Sequence, residues 1–197
     1  MQAAFDAAGI LTDASREWLT LARAFAAAAV LAFFWRDYVE LSEVPRARAS
    51  DWLAGGVAGI LVFGLWITLD TGWAVVGGEA RGFVPATPLA AALRFIGFAA
   101  IVPVMEELFW RSFLMRWIEA RDFLAFDPRG TGWRAFALSS ALFASEHSFW
   151  VAGLIAGIAY GWVYKRSGNL WTAIISHAIT NGALGTWILA TGSWKYW

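Results

Sequence analysis

Long apolar stretches, separated by short polar connections, dominate the chain from residue 18 onwards. A helix needs about 20 predominantly apolar residues to cross the roughly 30 Å hydrocarbon core of a bilayer. The stretches therefore predict six transmembrane helices in one bundle. The third is expected to break near Pro103, because proline removes a helical hydrogen bond. The predicted spans cover residues 18–35, 52–69, 89–117, 135–147, 149–164 and 170–190.

The composition supports a membrane protein. Of the 197 residues, 59% are hydrophobic and only 15% are charged, which leaves too little polar surface to coat a soluble globule of this size. The predicted fold class is therefore an all-α, polytopic membrane protein. The formal net charge of +0 argues against nucleic acid as a partner, since binding to phosphates needs clustered Lys and Arg. The chain has no cysteine, so neither a disulfide framework nor a thiolate metal site is available.

Basic residues are distributed unequally between the two sets of predicted loops. One set carries Arg36, Arg46, Arg48, Arg116, Arg121, Arg129, Arg134, Lys165 and Arg166, whereas the other carries Arg16, Arg81 and Lys195. Basic loops favour the cytoplasmic side of a membrane, so the first set is predicted to be cytoplasmic and both termini to lie outside. The start of the chain lacks the basic region and cleavage site of a signal peptide, so the first apolar segment is expected to be retained.

Glycines recur at intervals of four residues in two predicted helices. Gly55 and Gly59 lie in the second helix, and Gly153, Gly157 and Gly161 lie in the fifth. Rows of small residues let helices approach backbone to backbone in lipid. We interpret both rows as packing surfaces inside the bundle, with a dimer contact as the alternative.

Two adjacent carboxylates and a guanidinium interrupt the third apolar stretch, at Glu106, Glu107 and Arg111. An ionisable side chain in lipid is costly unless it is paired or faces a wet cavity. Residues four apart share a helix face, so Glu107 and Arg111 are expected to form a structural ion pair. Glu106 lies about 140° around the helix from Arg111, which leaves this carboxylate free.

Two further apolar stretches carry polar residues. They contain the only histidines of the chain, His147 and His177, and Asn181, one helical turn after His177. At about 1.5 Å per residue from the cytoplasmic helix ends, these residues and Glu106 lie at similar depths. They are therefore predicted to form one site, nearer the cytoplasmic side. For any one of them alone, the alternative is a hydrogen bond that only holds helices together.

Three motifs stand in order on successive apolar segments: Glu106-Glu107-x-x-x-Arg111, Phe143-x-x-x-His147 and His177-x-x-x-Asn181. Together they resemble the signature of the CAAX-processing and bacteriocin-processing (CPBP, or Abi) family of intramembrane endopeptidases, which includes CAAX prenyl protease-related proteins. The resemblance covers about residues 89–189. It implies an N-terminal tail with two transmembrane helices over residues 1–88 and a catalytic helical core over residues 89–197, within one structural unit.

The resemblance implies a peptidase without a side-chain nucleophile. Glu106 and His147 would hold and deprotonate a water that attacks the scissile carbonyl. His177 and Asn181 would donate hydrogen bonds to the oxyanion, which donors preorganised in a low-dielectric site stabilise better than water does. The second glutamate and the arginine of the first motif would orient their helix.

No cofactor and no metal are expected. Two histidines and a glutamate could supply the three protein ligands of a catalytic zinc, which is the alternative, but the chain has no HExxH motif. The expected partners are membrane lipid and a peptide or protein substrate, with or without an attached lipid, cleaved near its C-terminus or in a membrane segment. The resemblance favours a bacterial inner membrane as the location.

Two other functions would use the same residues. A non-catalytic membrane scaffold or immunity-type binding protein of the same family would act by binding, but it does not need four such residues at one depth. A small transporter or proton pathway would need a relay across the membrane, whereas these residues cluster in one layer. The sequence therefore favours the endopeptidase.

Overall fold

The protein is all-helical in the computed structural model, which describes residues 13–42, 47–77, 82 and 84–197 and has no strand in these ranges. The helices are α1 (Asp13–Phe33), α2 (Val39–Ser42), α3 (Ala49–Thr68), α4 (Pro88–Glu119), α5 (Trp133–Ser145), α6 (Trp150–Ser167) and α7 (Leu170–Thr191). Short 3₁₀ turns lie at Gly72–Ala74, Pro128–Gly130 and Trp194–Tyr196. The all-α prediction is confirmed. Residues 1–12, Arg46 and Arg81, on which part of the predicted orientation rests, lie outside the described residues.

Three helices within the described ranges are long and apolar enough to cross a membrane: α3, α4 and α7. They agree with the prediction of an integral membrane protein. The count of six spans stays a prediction. Helix α5 has only 13 residues, or about 20 Å of helix, which is shorter than the hydrocarbon core.

Local sequence explains how the helices near the candidate site begin and end. Helix α4 starts with Pro88 in its first turn, and the Thr87 side chain caps it by accepting from the backbone N–H of Ala90. Gly168, with φ +67°, ends α6, and the Asn169 side chain caps α7. Since only these two residues connect α6 to α7, the two helices form a tight antiparallel hairpin.

Helix α4 continues through Pro103, so the predicted break is wrong. The helix instead widens into π-helical turns at Gly97–Ile101 and Leu108–Met115. The N–H of Val102 bonds to the carbonyl five residues back, and Pro103 has no N–H with which to continue that pattern. The π turn therefore accommodates the proline, and the carbonyl of Phe98 is left for a partner outside the helix.

Glycines bring helix backbones into direct contact. A Cβ atom on Gly59 would lie 2.4 Å from the carbonyl oxygen of Ser176 on α7, and one on Gly157 would lie 2.9 Å from the carbonyl oxygen of Ser140 on α5. The predicted packing role of these two glycines is confirmed, because their neighbours belong to the same chain. Helix α3 thus packs along α7, and α6 packs along α5. The division of the chain at residue 88 stays a prediction.

Candidate active site

A cavity of about 220 Å³ lies between α4, α6, α7 and the turn after α5. Its wall includes the four residues predicted to act in catalysis: Glu106, His147, His177 and Asn181. Aromatic and aliphatic side chains make up most of the remaining wall, namely Trp66, Phe98, Val102, Phe143, Phe149, Tyr160, Leu184, Tyr196 and Trp197. This space can hold a few water molecules or a peptide group. The catalytic roles of the four residues stay a prediction.

Glu107 is fully buried and has two partners. Its Oε2 lies 3.1 Å from Nε of Arg111, so the ion pair expected from the spacing is present. Its Oε1 lies 2.8 Å from Nδ1 of His177. Arg111 is also buried and donates to the carbonyl of Gly157, at 3.3 Å. Sequence reasoning missed the contact with His177, because 70 residues separate the two side chains.

The contact with Glu107 orients the His177 imidazole. A carboxylate accepts hydrogen bonds, so we infer that Nδ1 carries the hydrogen and that Nε2, on the other side of the ring, remains for the cavity. Tyr160 stacks on the ring with centroids 4.7 Å apart and planes 18° apart. Phe143 approaches it edge-on, with centroids 6.1 Å apart. The ring is therefore held in its plane as well as at one nitrogen.

His147 lies just beyond the end of its predicted helix. Helix α5 ends at Ser145, and His147 belongs to the turn that leads into α6. Its Nδ1 lies 2.8 Å from the carbonyl oxygen of Phe143, so Nδ1 carries a hydrogen and a neutral imidazole has its free acceptor at Nε2. Trp66 packs against the ring edge-on, with centroids 5.4 Å apart. A Cβ on Gly153 would lie 3.2 Å from His147 Cβ, which explains a small residue there.

Glu106 differs from its neighbour Glu107. Its Oε2 atom is buried and has no hydrogen-bond partner in the part of the chain that the structure describes. A buried polar atom without a partner costs free energy, so the fold alone does not satisfy this carboxylate, which belongs to a residue of the cavity wall. Of the two adjacent carboxylates, Glu107 is the one paired with Arg111, as the helix geometry predicted, and the catalytic role of Glu106 stays a prediction.

Asn181 reaches the carbonyl that Pro103 leaves unpaired in α4. Its Nδ2 donates to the carbonyl oxygen of Phe98 at 2.9 Å. This bond fixes the side chain. Because a carbonyl oxygen only accepts, the amide atom that faces Phe98 is the donor Nδ2 and not Oδ1. One hydrogen of Nδ2 is used, and the second remains available at the cavity.

Sequence reasoning missed a further part of the cavity wall, which comes from residues 193–197 and is called here the strap. Lys195, Tyr196 and Trp197 line the cavity. Lys195 Nζ and Tyr196 Oη both donate to the carboxylate of Asp70, just after α3. These bonds hold the pKa of the Asp70 carboxyl below its usual value of 3.8. Periodicity gives no signal for this contact, because the strap follows the last helix.

The strap and the turn after α5 mark one end of the bundle. The basic residues predicted to be cytoplasmic include Arg166 at the other end, where its Nε lies 3.0 Å from Asp51 Oδ1 near the start of α3. The cavity wall therefore extends toward the end with few basic residues, although Glu106 and His177 lie in the middle parts of their helices. The sidedness of the protein, and of its site, stays a prediction.

The donors at the cavity do not form a ready metal site. Within the described ranges, no group of three or more His, Cys, Asp or Glu side chains is arranged to hold a metal ion. Nδ1 of each histidine already has a partner, so only the Nε2 atoms would be available as ligands. Metal independence stays a prediction.

This geometry defines a helical membrane protein in which a buried carboxylate, two imidazoles and an amide meet at one cavity. Residues 87–183 match the model of a family described as type II CAAX prenyl endopeptidase Rce1-like. The matched range contains all three motifs, and the chain belongs to this CAAX protease (CPBP) family, a family of intramembrane endopeptidases. No curated protein and no solved structure matches the chain.

Proposed function

We propose that this protein is an intramembrane endopeptidase in which Glu106 and His147 hold the attacking water. Glu106 and His147 both line one cavity, and the Glu106 carboxylate and Nε2 of neutral His147 are both hydrogen-bond acceptors. A water between them can donate one hydrogen to each and direct a lone pair at a peptide carbonyl. The observation that carries the proposal is the unpartnered Oε2 of Glu106, seen within the described residues.

The proposed reaction balances with water and the peptide alone. The water oxygen bonds to the carbonyl carbon while one proton passes to Glu106, and the carbonyl oxygen becomes an oxyanion. When the tetrahedral intermediate collapses, the C–N bond breaks and Glu106 returns the proton to the leaving amine. The products are a new C-terminal carboxylic acid and a free amine.

His177 and Asn181 are the proposed oxyanion donors. As an imidazolium, His177 keeps Nδ1 on Glu107 and has a second N–H, at Nε2, to donate. Asn181 offers the Nδ2 hydrogen that the Phe98 carbonyl does not use. A donor of this kind is typically worth about 10²–10³ in rate. Glu107 acts through His177 and Arg111, so its proposed role is to position them.

Glu106→Gln tests the proposal directly, because glutamine has nearly the same shape but cannot take the proton. Purified protein in nanodiscs is given an internally quenched peptide with a prenylated cysteine ahead of a C-terminal tripeptide, and the same peptide without the prenyl group. We expect hydrolysis to fall by about 10²–10⁴-fold, the usual contribution of a general base. Comparing the two peptides shows whether the substrate needs its lipid.

Glu146→Gln is the matched control. Glu146 is exposed next to His147 and does not line the cavity, so this variant is expected to keep full activity. Unfolding of Glu106→Gln is expected to match that of the native protein. Undiminished hydrolysis by Glu106→Gln overturns the proposal. A native protein that binds either peptide without cleaving it supports the non-catalytic scaffold instead.

The proposed reaction uses no metal. Exhaustive chelation should leave hydrolysis unchanged, whereas loss of activity and its rescue by zinc would contradict metal independence.

The proposed location is a bacterial inner membrane with both termini outside. The chain has no native cysteine, so single cysteines at Arg166 and Lys195 can be labelled in intact cells. Labelling of the Lys195→Cys variant alone by an impermeant reagent would support the proposed orientation.

A further inference from the structure

The three motifs do not include Tyr160, yet this side chain contacts the centre of the site. It lies in α6 with 1% of its surface exposed, and it lines the cavity. Its ring stacks on His177, as described above, and the guanidinium of Arg111 lies 5.5 Å from the ring centroid. Tyr160 therefore touches both residues that pair with Glu107.

The hydroxyl of Tyr160 is committed to a chain of hydrogen bonds. Tyr160 Oη donates to Thr180 Oγ1 at 2.8 Å, and Thr180 Oγ1 donates to the carbonyl of Gly59 at 2.8 Å. Thr180 lies between His177 and Asn181 on α7, and Gly59 lies where α3 and α7 come closest. The chain thus joins α6, α7 and α3 at the level of the two proposed oxyanion donors.

These contacts hold His177 in two ways, at one ring nitrogen and in the plane of the ring. Glu107 fixes the position of Nδ1, but one hydrogen bond leaves the imidazole free to rotate about it. The nearly parallel Tyr160 ring and the edge of Phe143 restrict that rotation and so determine where Nε2 lies. Since its hydroxyl is already donated to Thr180, Tyr160 has no proton to give to the reaction.

We propose that Tyr160 is a positioning residue for the peptidase: its ring sets the plane of the His177 imidazole, and its hydroxyl anchors that ring to α7 and α3 through Thr180 and the Gly59 carbonyl. This inference rests on the proposed function. It predicts that loss of the ring harms the chemical step more than substrate binding, because misplacing a group at the reacting centre by about 1 Å can cost about 10²-fold in rate.

The test uses Tyr160→Leu, Tyr160→Phe and Thr180→Val, assayed with the quenched peptide. For Tyr160→Leu we expect kcat to fall by about 10–100-fold, with KM changed by less than about twofold. Tyr160→Phe and Thr180→Val each remove one link of the same chain and should lower kcat by less. Their double variant should be no worse than the stronger single one, because linked residues are non-additive.

Tyr164→Phe is the matched control. Tyr164 is equally buried, one turn further along α6, but its hydroxyl donates to Glu40 at 2.7 Å, away from the cavity. This variant also removes the hydrogen bond of a buried tyrosine hydroxyl from the same helix, here one to a carboxylate, and should keep native kcat and pH dependence. A loss of kcat equal to that of Tyr160→Phe would mean that the effect is only structural, and it would overturn the proposal.

Histidine NMR gives a readout that does not depend on turnover. The chain has two histidines, so protein labelled at histidine gives two imidazole signals, which His147→Gln assigns. We expect Tyr160→Leu to shift the His177 signal and to leave the His147 signal in place. If Tyr160→Leu does not fold, Tyr160→Phe and Thr180→Val test the positioning role instead, and they should produce smaller shifts of the His177 signal.

The positioning role is overturned if the Tyr160 and Thr180 variants keep native kcat and an unshifted His177 signal. If Glu106→Gln is inactive in the same experiments, the proposed peptidase mechanism still stands. If Glu106→Gln remains active, the proposed mechanism fails instead. The two failures are thus distinguishable within one set of variants.

Discussion

Helix α4 carries two buried polar clusters that differ in how completely they are hydrogen-bonded. One is at the cavity, around Glu106 and Glu107. The other is called here the basal network. It joins Ser112 and Arg116, about one and a half to three turns further along α4, to Glu40 on α2 and Tyr164 on α6.

In the basal network, both carboxylate oxygens of Glu40 have partners. Oε1 accepts from Tyr164 Oη at 2.7 Å, and Oε2 accepts from Arg116 Nη2 at 2.9 Å and from the Ser112 hydroxyl. Arg116 also donates from Nε to the backbone carbonyl of Ser112, at 2.6 Å. A network of this kind fixes the short α2 against the bundle and gives each carboxylate oxygen of Glu40 a partner within the fold.

At the cavity, by contrast, not every carboxylate oxygen has a hydrogen-bond partner. Glu107 is hydrogen-bonded to His177 through Oε1, and its Oε2 has only the ion pair with Arg111, whereas Glu106 Oε2 is buried with neither kind of partner among the described residues. The same helix therefore contributes to a polar cluster in which both oxygens of the carboxylate have hydrogen-bond partners, and to one in which an unpartnered oxygen belongs to a residue that lines a cavity. The comparison teaches that burial of charge alone does not distinguish the two clusters, whereas hydrogen bonding does, because only the cavity cluster leaves carboxylate oxygens without a hydrogen bond.

Loss of charge at Glu107 should have the largest effect on stability. Glu107→Gln leaves the buried guanidinium of Arg111 without a counter-charge, and breaking one partner of a buried pair typically costs about 3–5 kcal/mol. Unfolding in mixed micelles, compared with that of Glu146→Gln, measures this loss. Unchanged stability would show that the ion pair of Glu107 with Arg111 does not hold the fold.

Glu40→Gln should reduce stability less and leave the chemistry intact. Arg116 keeps its bonds to Ser112 and the Glu40 side chain is 23% exposed, so we expect a loss of about 1–3 kcal/mol, the range for hydrogen bonds to a charged group. The activity per folded molecule should equal that of the native protein. If kcat falls as far in Glu40→Gln as in Glu106→Gln, the division between the two clusters is wrong.

The smallest expected effect concerns the strap. The Asp70 pKa is lowered by hydrogen bonds from Lys195 and then Tyr196, so their stabilising contribution is present above pH 3.8 and is lost as the pH falls through the lowered pKa. Asp70→Asn should be slightly less stable than the native protein at neutral pH, and the difference should shrink in acid. A difference that stays constant from pH 6 to pH 3 would contradict this assignment.

Several parts of the site could be predicted from sequence because they depend on spacing within one helix. The Glu107–Arg111 pair and the separate direction of Glu106 both follow from helical geometry, and they need no knowledge of other helices. The outcome at Pro103 differed because a π turn can accommodate a proline without ending the helix. That choice depends on whether another side chain, here Asn181, can satisfy the Phe98 carbonyl.

By itself, the sequence determined that this is a helical membrane protein of the CAAX protease family and which rare polar residues stand out in it, because composition, periodicity and motif order are local properties. Only the tertiary structure decided which of these residues touch. His177 pairs with Glu107, Tyr160 stacks on His177, and the strap closes one side of the cavity, although each contact joins distant parts of the chain. Such contacts are set by how whole helices pack, which here depends on backbone approach at Gly59 and Gly157 and not on any single segment.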